Sequence, residues 1–320
     1  MGNNNQISLV ILTCNRKNTL SDLLNEIRHQ TYQPSEVIIV DNNSNDGTYS
    51  MVGSKYPDIK IIKLSQNIGC AARNIGIRSA LGDIIVTLDD DVFFKDHTAI
   101  AKVNKIFLRN SKINVLNFKI LDYYTHQLLS FNWFHPYNME NYCDSEFVTD
   151  YISEGAVAFR RTVFDAAGYY PEDFFLSHEG PDLAYRILDS GFDIHYSPEI
   201  EVLHKCSSIQ RDPWRNTYYD TRNQIWLAVR NLPFFSATFH ICYRLFTTFL
   251  FGLRRRHLRW YFKAVFDGFN GIPHQKKFRR PISRSTQLRL KEIRRNKPGL
   301  LYQASSFTKR TRSINEKFAR

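Results

Sequence analysis

The first 90 residues alternate between short apolar runs and segments in which apolar residues recur at helical spacing. The runs are rich in β-branched residues and cover residues 7–13, 36–40, 59–64 and 84–88. Between the first two runs, the positions that fall on one helix face are Leu20, Leu23, Leu24 and Ile27. This alternation predicts β-α-β units and an α/β fold built on a mostly parallel, doubly wound sheet flanked by helices.

Polar clusters follow three of the predicted strands, at residues 13–16, 41–48 and 89–91. In a doubly wound sheet, ligands bind outside the carboxyl ends of the strands, so the clusters mark one common site. Residues 70–81 have the composition of a helix. We expect it to end at Gly82, because glycine accepts the left-handed conformation found at many helix ends.

The rest of the chain is predicted to add strands and then helices. Residues 113–160 contain further strands, and residues 180–190 form a helix that Gly191 closes. Residues 200–204 complete an edge strand, and residues 214–269 are helical and aromatic.

The most apolar stretch of that helical region is residues 233–251. His240 and Arg244 interrupt it, which favours an interfacial or packed helix over one that spans a bilayer. Beyond Asn270 the chain is basic with few apolar residues, and we expect it to be partly disordered. The predicted organisation is an α/β domain over 1–212 (halves 1–112 and 113–212), an aromatic and basic helical region over 213–270, and a basic tail over 271–320.

Charge is distributed unevenly along the 320 residues. The net charge is +12, but residues 251–320 hold 20 Lys or Arg against 3 Asp or Glu, so they carry +17 and the first 250 residues carry −5. Such a segment attracts an anionic membrane surface, where each cation contributes about 1 kcal/mol, or nucleic acid. No nucleic-acid motif accompanies it, which favours the membrane.

Cysteine usage and the N-terminus bear on the compartment. The five cysteines form no CxxC pair, and their odd number argues against a disulfide framework or a zinc knuckle. The N-terminus lacks the basic segment and long apolar stretch that direct secretion. We therefore expect a cytoplasmic protein, peripheral at the inner face of the cytoplasmic membrane.

Three adjacent aspartates, Asp89, Asp90 and Asp91, come directly after the apolar run 84–88. Neighbouring carboxylates repel one another, so a protein that keeps them usually supplies a cation. Hard oxygen ligands favour Mg²⁺ or Mn²⁺ together with substrate phosphates. Asp89 and Asp91 are placed to reach one ion while Asp90 turns elsewhere; the alternative is a solvated acidic loop.

Four short motifs follow one another in this part of the chain. They are T-C-N-R at residues 13–16 with Leu20, D-N-N-S-N-D-G-T at 41–48, N-I-G…A-R-N-I-G at 67–76, and L-D-D-D at 88–91. In this order they resemble the T-x-N-R…L, VDN-S-DGT, N-x-G…A-R-N-x-G and D-x-D motifs of the family 2 nucleotide-sugar glycosyltransferases. The resemblance is in particular to the bacterial glycosyltransferases that synthesise cell-surface polysaccharides. The resemblance implies a GT-A fold, a nucleotide-sugar donor and a divalent cation.

The resemblance also implies roles for single residues. By analogy, Asp41 contacts the base of the nucleotide and Arg73 lies near the diphosphate, while Asp89 and Asp91 hold the metal ion. The other residues implied to bind the nucleotide sugar are Thr13, Asn15, Arg16, Asn43, Asn67, Asp89 and Asp90. Three of these keep a structural alternative. Thr13 is alternatively a strand residue, Arg16 a surface charge at a helix start, and Asn67 a turn residue.

The resemblance continues to about residue 230 but departs from the family on the acceptor side. Residues 179–186 read E-G-P-D-L…R where the family has E-D-x-D-L…R, so Gly180 stands where an Asp is commonly the general base. Transfer to a hydroxyl needs a carboxylate within hydrogen-bond reach. Glu179 is the leading candidate, and Asp182 is the second, with helix capping as its alternative.

Two further segments carry the resemblance. His204 matches the family's v-x-H and is implied to complete the metal shell or to bind the diphosphate, with a structural histidine as the alternative. Residues 218–223 resemble a Y-Y…R-N segment, in which Arg222 either reaches a phosphate or packs against the α/β domain.

These features predict a metal-dependent, inverting glycosyltransferase. It would move a sugar from a nucleotide-sugar donor to a glycan or lipid-linked acceptor in surface polysaccharide synthesis. Two alternatives stay open: a non-catalytic nucleotide-sugar-binding protein, prompted by Gly180, and a protein that binds nucleic acid or membrane through its basic tail.

Overall fold

A computed structural model of the chain describes residues 5–128, 133–206 and 212–297. The first strands are β1 (Ile7–Thr13), β2 (Glu36–Asp41), β3 (Lys60–Lys63) and β4 (Ile84–Asp89). The helices between them are α1 (Lys17–Arg28), α2 (Thr48–Lys55) and α3 (Ala72–Ser79), the last preceded by a 3-10 turn over Gly69–Ala71.

The second half of the α/β region adds strands and helices in less regular order. Its strands are β5 (Val92–Phe94), β6 (Ile113–Asp122), β7 (Phe147–Val148), β8 (Ala156–Arg160) and β9 (Asp193–His204). Its helices are α4 (Ala99–Arg109), α5 (Met139–Tyr142), α6 (Thr162–Ala167) and α7 (Glu179–Asp189). The helices that follow are α8 (Pro213–Asn231), α9 (Phe234–Arg254), α10 (Leu258–Asn270), α11 (Ile272–Gln275) and α12 (Arg284–Ile293).

The strands form one sheet in the order β3-β2-β1-β4-β8-β6-β9-β5, with β7 also paired to β9. The first four strands are parallel, as predicted, whereas β8 is antiparallel to both β4 and β6. Strand β9 was expected at an edge of the sheet, but it lies between β6 and β5 because both pair with it. The predicted α/β fold is therefore present, with mixed strand directions in its second half.

Helices cover both faces of the sheet because both faces are apolar. Alternate residues of β1 point to opposite sides: Leu9 packs in the cluster that contains Leu20 of α1, and Val10 in the cluster that contains Ile77 of α3 and Leu183 of α7. A parallel strand buried on both faces reads as a continuous apolar run. This explains why β1 and β4 were recognisable in the sequence.

Helix α3 ends earlier than the sequence predicts. Its last residue is Ser79, and Ala80 is extended. Gly82 does not adopt the left-handed conformation; a Cβ placed on it would lie 2.7 Å from the carbonyl oxygen of Gln6 and 2.7 Å from the amide nitrogen of Ser8. The glycine is needed for this close approach to β1, and the helix-cap expectation is wrong.

The described part of the basic tail is folded onto the α/β domain. Ile282, Leu290 and Ile293 are buried, and Arg289 and Arg294 pair with acidic residues of that domain, Asp193 and Asp150 respectively. The expectation of disorder after Asn270 therefore does not hold for residues 271–297. Residues 298–320 of the predicted tail lie outside the described residues.

Helix α9 contains most of the apolar stretch 233–251 and packs on α8 and α10. Its partners bury one side, including Ala237 and Thr248. Among the described residues, no helix combines the length and apolar character that crossing a bilayer requires. The contacts of α9 with α8 and α10 fit the packed helix expected from the sequence.

Candidate active site

The predicted polar clusters meet at one edge of the sheet. Thr13 pairs with Asp41 in the register of β1 and β2, and Leu12 pairs with Asp89 in that of β1 and β4, so the three carboxyl ends are level. Because β8 runs antiparallel to β4, its amino end also lies at this edge. Gly155 is therefore next to Asp89, whose amide donates to the Gly155 carbonyl at 3.2 Å.

Asp90 is the centre of a buried ionic cluster. Its carboxylate accepts hydrogen bonds from the Thr13 hydroxyl at 2.7 Å and from Nη1 of Arg16 at 2.8 Å. Nη1 of Arg16 also lies 2.5 Å from Oδ2 of Asp91. Burial raises the pKa of Asp90 to about 7, and Asp91 adds to the rise although Arg16 opposes it. Arg16 is thus a partner of the aspartates rather than a surface charge at a helix start.

His204 closes the far side of this cluster. It is the last residue of β9 and pairs with Val92 of β5, which places its Nε2 3.5 Å from Oδ1 of Asp91. Burial lowers the pKa of His204, but its hydrogen bonds with Asp91 and Cys206 outweigh this and raise it to about 10. The structure thus brings together the aspartate and the histidine that the sequence predicted as metal ligands.

Asp41, the last residue of β2, is fully buried beside the turn that follows this strand. Its Oδ1 accepts the Ser44 amide at 2.8 Å, whereas its buried Oδ2 has no hydrogen-bond partner among the described residues. A buried carboxylate oxygen without a donor costs free energy. It is therefore a natural acceptor for an N–H group of a ligand.

Three asparagines lie in the turns near Asp41. Asn15 has a positive φ of 54° and accepts the Asn45 amide at 2.8 Å, and Asn43 is exposed with a φ of 67°. Asn67 is held within a turn, where its Oδ1 accepts from Asn42 at 3.0 Å and from the Gly69 amide at 2.9 Å. For Asn67 these contacts fit the turn alternative.

Arg73 links the nucleotide side to the acceptor side. It lies in α3 with 6% of its surface exposed, and it donates to Oδ1 of Asp89. Burial opposes its charge, but the carboxylates of Asp89, Glu179 and Glu154 raise its pKa far above the ordinary value. Its buried Nε has no hydrogen-bond partner among the described residues. The guanidinium is therefore the cation shared by both halves of the site.

Two glutamates, Glu154 and Glu179, lie near Arg73 on the predicted acceptor side. Glu179 begins α7 and is 6% exposed, whereas Glu154 precedes β8 and is partly exposed. Burial and the charge of Glu179 raise the pKa of Glu154 to about 8. Burial also raises the pKa of Glu179, and that of the Cys70 thiol, which is hydrogen-bonded to Glu179. Because the two carboxyl groups interact, they titrate as a coupled pair.

Asp182 does not face this cluster. It is 1% exposed, and its oxygens accept from Nη2 of Arg186 at 2.7 Å and from Nδ2 of Asn231 at 2.7 Å. Arg186 in turn donates to the carbonyl oxygens of Ala167 and Tyr169. These contacts fit the structural alternative for Asp182 and tie α7 to α8.

Helix α8 holds the loop that precedes Glu179. Nδ2 of Asn223 donates to the carbonyl oxygens of Phe174, Leu176 and Ser177 at 2.7–2.9 Å. Nη2 of Arg222 donates to the carbonyl of Phe174 at 2.9 Å. Of the two roles considered for Arg222, these contacts support packing against the α/β domain, and they hold the segment that leads into α7.

The metal ligands predicted from the sequence are Asp89, Asp91 and His204. Among the described residues, no three His, Cys, Asp or Glu side chains are arranged as a metal-binding group. Asp91 and His204 lie 3.5 Å apart as an ion pair, and the raised pKa of His204 means that its imidazole must lose a proton before it can bind a metal ion. Asp89 pairs with Arg73 instead. In this arrangement the predicted ligands are held by ion pairs, Asp91 with His204 and Arg16 and Asp89 with Arg73, and a cation would have to displace these partners.

Sequence reasoning missed Glu154 and Cys70. Neither belongs to a recognisable charge cluster, and each is brought to Glu179 only by the fold. The one available signal was the missing carboxylate at Gly180, which left room for another residue to supply it.

Comparisons with known proteins agree with this geometry. The sequence model of the family "Glycosyl transferase family 2" matches residues 8–168, half of the chain. The O-antigen chain rhamnosyltransferase WbaN of Salmonella anatum is 28% identical over 60% of this chain and 63% of its own length. The dTDP-rhamnosyl transferase RfbF of Shigella flexneri is 24% identical over 84% of this chain and 97% of its own length. The chain thus aligns with less than two thirds of the Salmonella anatum protein.

Solved structures share the fold at low sequence identity. TarS 1-349 of S. aureus in complex with UDP-GlcNAc has a TM-score of 0.58 and 16% identity, over 91% of this chain and 89% of that one. The mannosyltransferase PcManGT of Pyrobaculum calidifontis, in complex with GDP-Man and Mn²⁺, has a TM-score of 0.54 and 15% identity, over 97% and 88%. The likeness confirms the predicted α/β fold.

Proposed function

The chain belongs to glycosyl transferase family 2 and has its GT-A fold, and from that premise we propose that it transfers a sugar from a nucleotide-sugar donor to a glycan or lipid-linked acceptor in polysaccharide synthesis. One observation carries the proposal: the buried guanidinium of Arg73 donates to Asp89, and the charge of Glu179 is near enough to contribute to its raised pKa. A diphosphate leaving group bound beside Arg73 would therefore lie near the carboxylates of the acceptor side.

The donor is held by residues at the carboxyl edge of the sheet. Asp41 offers its unpartnered Oδ2 to an N–H group of the base. Arg16 and Arg73 pair with the aspartates Asp90 and Asp89. From these positions the two arginines would attract the negative charge of the diphosphate. Thr13, Asn15 and Asn43 would border the nucleotide, and Asn67 shapes the turn that contains Gly69. Similar charge-assisted contacts are the main means by which proteins stabilise phosphoryl leaving groups.

A divalent cation, Mg²⁺ or Mn²⁺, completes this half of the site in the proposal. Asp91 and His204 would hold it, with Asp89 once the diphosphate has taken over the contact with Arg73. When bound, the ion neutralises negative charge that develops on the leaving diphosphate. Asp90 stays paired with Thr13 and Arg16 and orients the arginine.

Transfer is proposed to proceed with inversion at the anomeric carbon. The acceptor oxygen attacks the face opposite the diphosphate, and a carboxylate on the acceptor side removes its proton. Glu179 is the residue that the sequence assigns to this step. It lies at the amino end of α7 in the cluster with Arg73, so the acceptor hydroxyl would meet the sugar next to the leaving group.

The proposal is tested by a panel of three donors: dTDP-rhamnose, UDP-GlcNAc and GDP-mannose. Calorimetry measures binding of each donor with Mn²⁺ and with EDTA, and NMR follows release of the sugar to water and the anomer first formed. We expect one donor to bind with Mn²⁺ and to be turned over with inversion. Binding without turnover supports the non-catalytic alternative, and retention of configuration contradicts the proposed single displacement.

We propose that the acceptor is reached at an anionic membrane surface. Large apolar side chains of α9 and α10 are exposed on one face of each helix: Phe235, Phe239, Tyr243, Phe246, Leu250 and Leu253, and Phe262, Phe266 and Phe269. Exposed cations border them, among them Arg254, Arg256, Arg259 and Lys263. Aromatic side chains flanked by cations are typical of helices that lie in the interface of an anionic bilayer. A lipid-linked acceptor fits this surface.

A further inference from the structure

Position 180 lacks the carboxylate expected there, and the structure fills that space from another part of the chain. A Cβ atom placed on Gly180 would lie 2.0 Å from Oε1 of Glu154 and 2.6 Å from its Cδ. No side chain at position 180 can coexist with Glu154 in this orientation. The carboxylate of Glu154 therefore occupies the place of a side chain on the first turn of α7.

Local structure holds Glu154 in that place. Strand β8 begins at Ala156 beside Leu88 of β4, so residue 154 lies at the carboxyl edge of the sheet. The Thr87 hydroxyl donates to the Glu154 carbonyl at 2.7 Å, and the Gly180 amide donates to the Glu154 carboxylate. A glycine is required at position 180 for this contact. The backbone therefore fixes Glu154 between the end of β4 and the start of α7.

Glu154 is also better placed than Glu179 to meet an acceptor. Glu179 is 6% exposed, and it lies beside the buried thiol of Cys70. Glu154 is partly exposed. The next residue, Gly155, borders the carboxylate of Asp89: a Cβ on that glycine would lie 2.5 Å from Oδ2 of Asp89. Glu154 thus lies one residue from the donor side of the site.

Resting on the proposed function, we infer that Glu154 is the general base of the transfer and that Glu179 is its positioning partner. The acceptor O–H gives its proton to Glu154 while its oxygen forms the bond to the anomeric carbon. The bond from that carbon to the diphosphate oxygen breaks, and the diphosphate leaves with the electron pair. No oxidant or further reactant is needed.

The surroundings of Glu154 support this role. The groups that face it are Glu179 of α7, Arg73 of α3, Cys70 of the preceding 3-10 turn and Tyr170. Burial and the Glu179 charge raise the pKa of Glu154 to about 8, and Arg73 limits the rise. A base with a pKa near the working pH transfers protons efficiently.

The inference is tested with Glu154→Gln and Glu179→Gln in the full chain, on the donor of the panel that the wild-type protein turns over, with water as acceptor. We expect E154Q to lower kcat roughly 100-fold or more at every pH and to leave donor affinity unchanged in calorimetry. E179Q removes a neighbouring charge, so it should lower kcat far less than E154Q does and shift the acid limb of the pH profile to lower pH. Glu172→Gln, an exposed glutamate of the acceptor side, is the matched control.

A second variant separates a catalytic from a structural role. Glu154→Ala leaves a space of carboxylate size next to Gly180, and added formate should restore part of its turnover. Wild-type turnover in E154Q, or a loss in E154A that formate does not restore, overturns the inference while the proposed function stands. A wild-type protein that binds no donor of the panel defeats the proposed function itself, and this inference with it.

Discussion

Arg73 donates a hydrogen bond to Asp89, and this contact joins the two halves of the site. The arginine comes from α3, which packs under β1 and β2, and the aspartate ends β4. The arginine side chain is 7% exposed and the aspartate side chain 33%. The arginine of the pair is thus buried, whereas the aspartate is accessible to a ligand. A diphosphate can take the place of Asp89 without disturbing the helix.

Replacing Arg73 by Ala should weaken both folding and donor binding. The substitution leaves Asp89 and the two acceptor-side glutamates without their shared cation, and breaking such a pair costs about 3 kcal/mol in free energy of unfolding. Donor affinity should fall roughly tenfold or more because a charge-assisted contact is lost. Urea unfolding and calorimetry measure the two effects. Arg78→Ala, on the same helix but exposed, should change neither.

Cation binding should depend on Asp91 and His204. In Asp91→Asn, the donor should bind about equally with Mn²⁺ and with EDTA, whereas in the wild-type protein we expect Mn²⁺ to strengthen binding roughly tenfold or more. Direct Mn²⁺ titration by electron paramagnetic resonance reads out the ion itself. Asp58→Asn, at an exposed ion pair with Arg28, is the control. Equal donor affinity with and without Mn²⁺ in the wild-type protein would contradict the metal assignment.

The loop before Glu179 should depend on Asn223. Asn223→Ala removes the amide whose two N–H groups serve the carbonyl oxygens of Phe174, Leu176 and Ser177, at a cost of roughly 2 kcal/mol. Hydrogen exchange should quicken over residues 174–178, and kcat should fall while donor affinity stays near that of the wild type. Asn223→Asp keeps the shape without the amide donor and should behave similarly. Unchanged exchange over this loop would show that α8 does not hold it.

The stability of the protein should depend on Glu154 in a pH window set by its pKa. The ordinary pKa is 4.5 and the folded value is about 8. The fold favours the protonated form, so the contribution to stability is complete below pH 4.5 and is lost as the pH rises to 8. Glu154→Gln should therefore match the wild-type melting temperature at pH 4 and exceed it at pH 9. A constant difference across this range would contradict the raised pKa.

The sequence predicted those parts of the fold whose signals are local. Strands β1 and β4 are buried on both faces and read as continuous apolar runs, and α1 shows its apolar face at helical spacing. Helix α2 was not predicted because Met51 and Val52 are its only aliphatic residues, and Gly53 follows them. The folded tail was also missed, since Ile282, Leu290 and Ile293 are few among many cations.

The candidate site divides in the same way. Asp41, Asp89 and Asp91 were recognisable because each follows a strand or its turn, and parallel strands bring such ends together. Glu154 and Gly180 are 26 positions apart, and only the antiparallel pairing of β8 with β4 sets the height of the glutamate at the edge. A sequence pattern does not encode that register, so the glutamate had no signal of its own.

The aromatic face of α9 should govern binding to anionic vesicles. Phe235, Phe239 and Phe246 are 86%, 75% and 62% exposed, and their spacing places them on one side of the helix. Burying one phenylalanine side chain contributes about 1.5–3 kcal/mol, so replacing all three by serine should lower partitioning at least about tenfold. Flotation with phosphatidylglycerol vesicles measures this, with Leu288→Ser on α12 as the control for an exposed apolar residue outside the face.

The salt dependence separates the two contributions to vesicle binding. Cations near the apolar face lose their effect as the Debye length falls from about 10 Å at 0.1 M salt to about 3 Å at 1 M, whereas the aromatic contribution persists. The wild-type protein should therefore keep part of its vesicle binding at high salt, and the triple variant should keep none. Binding to DNA at low salt that exceeds vesicle binding, and that the triple variant retains, would instead support the nucleic-acid alternative for the basic region.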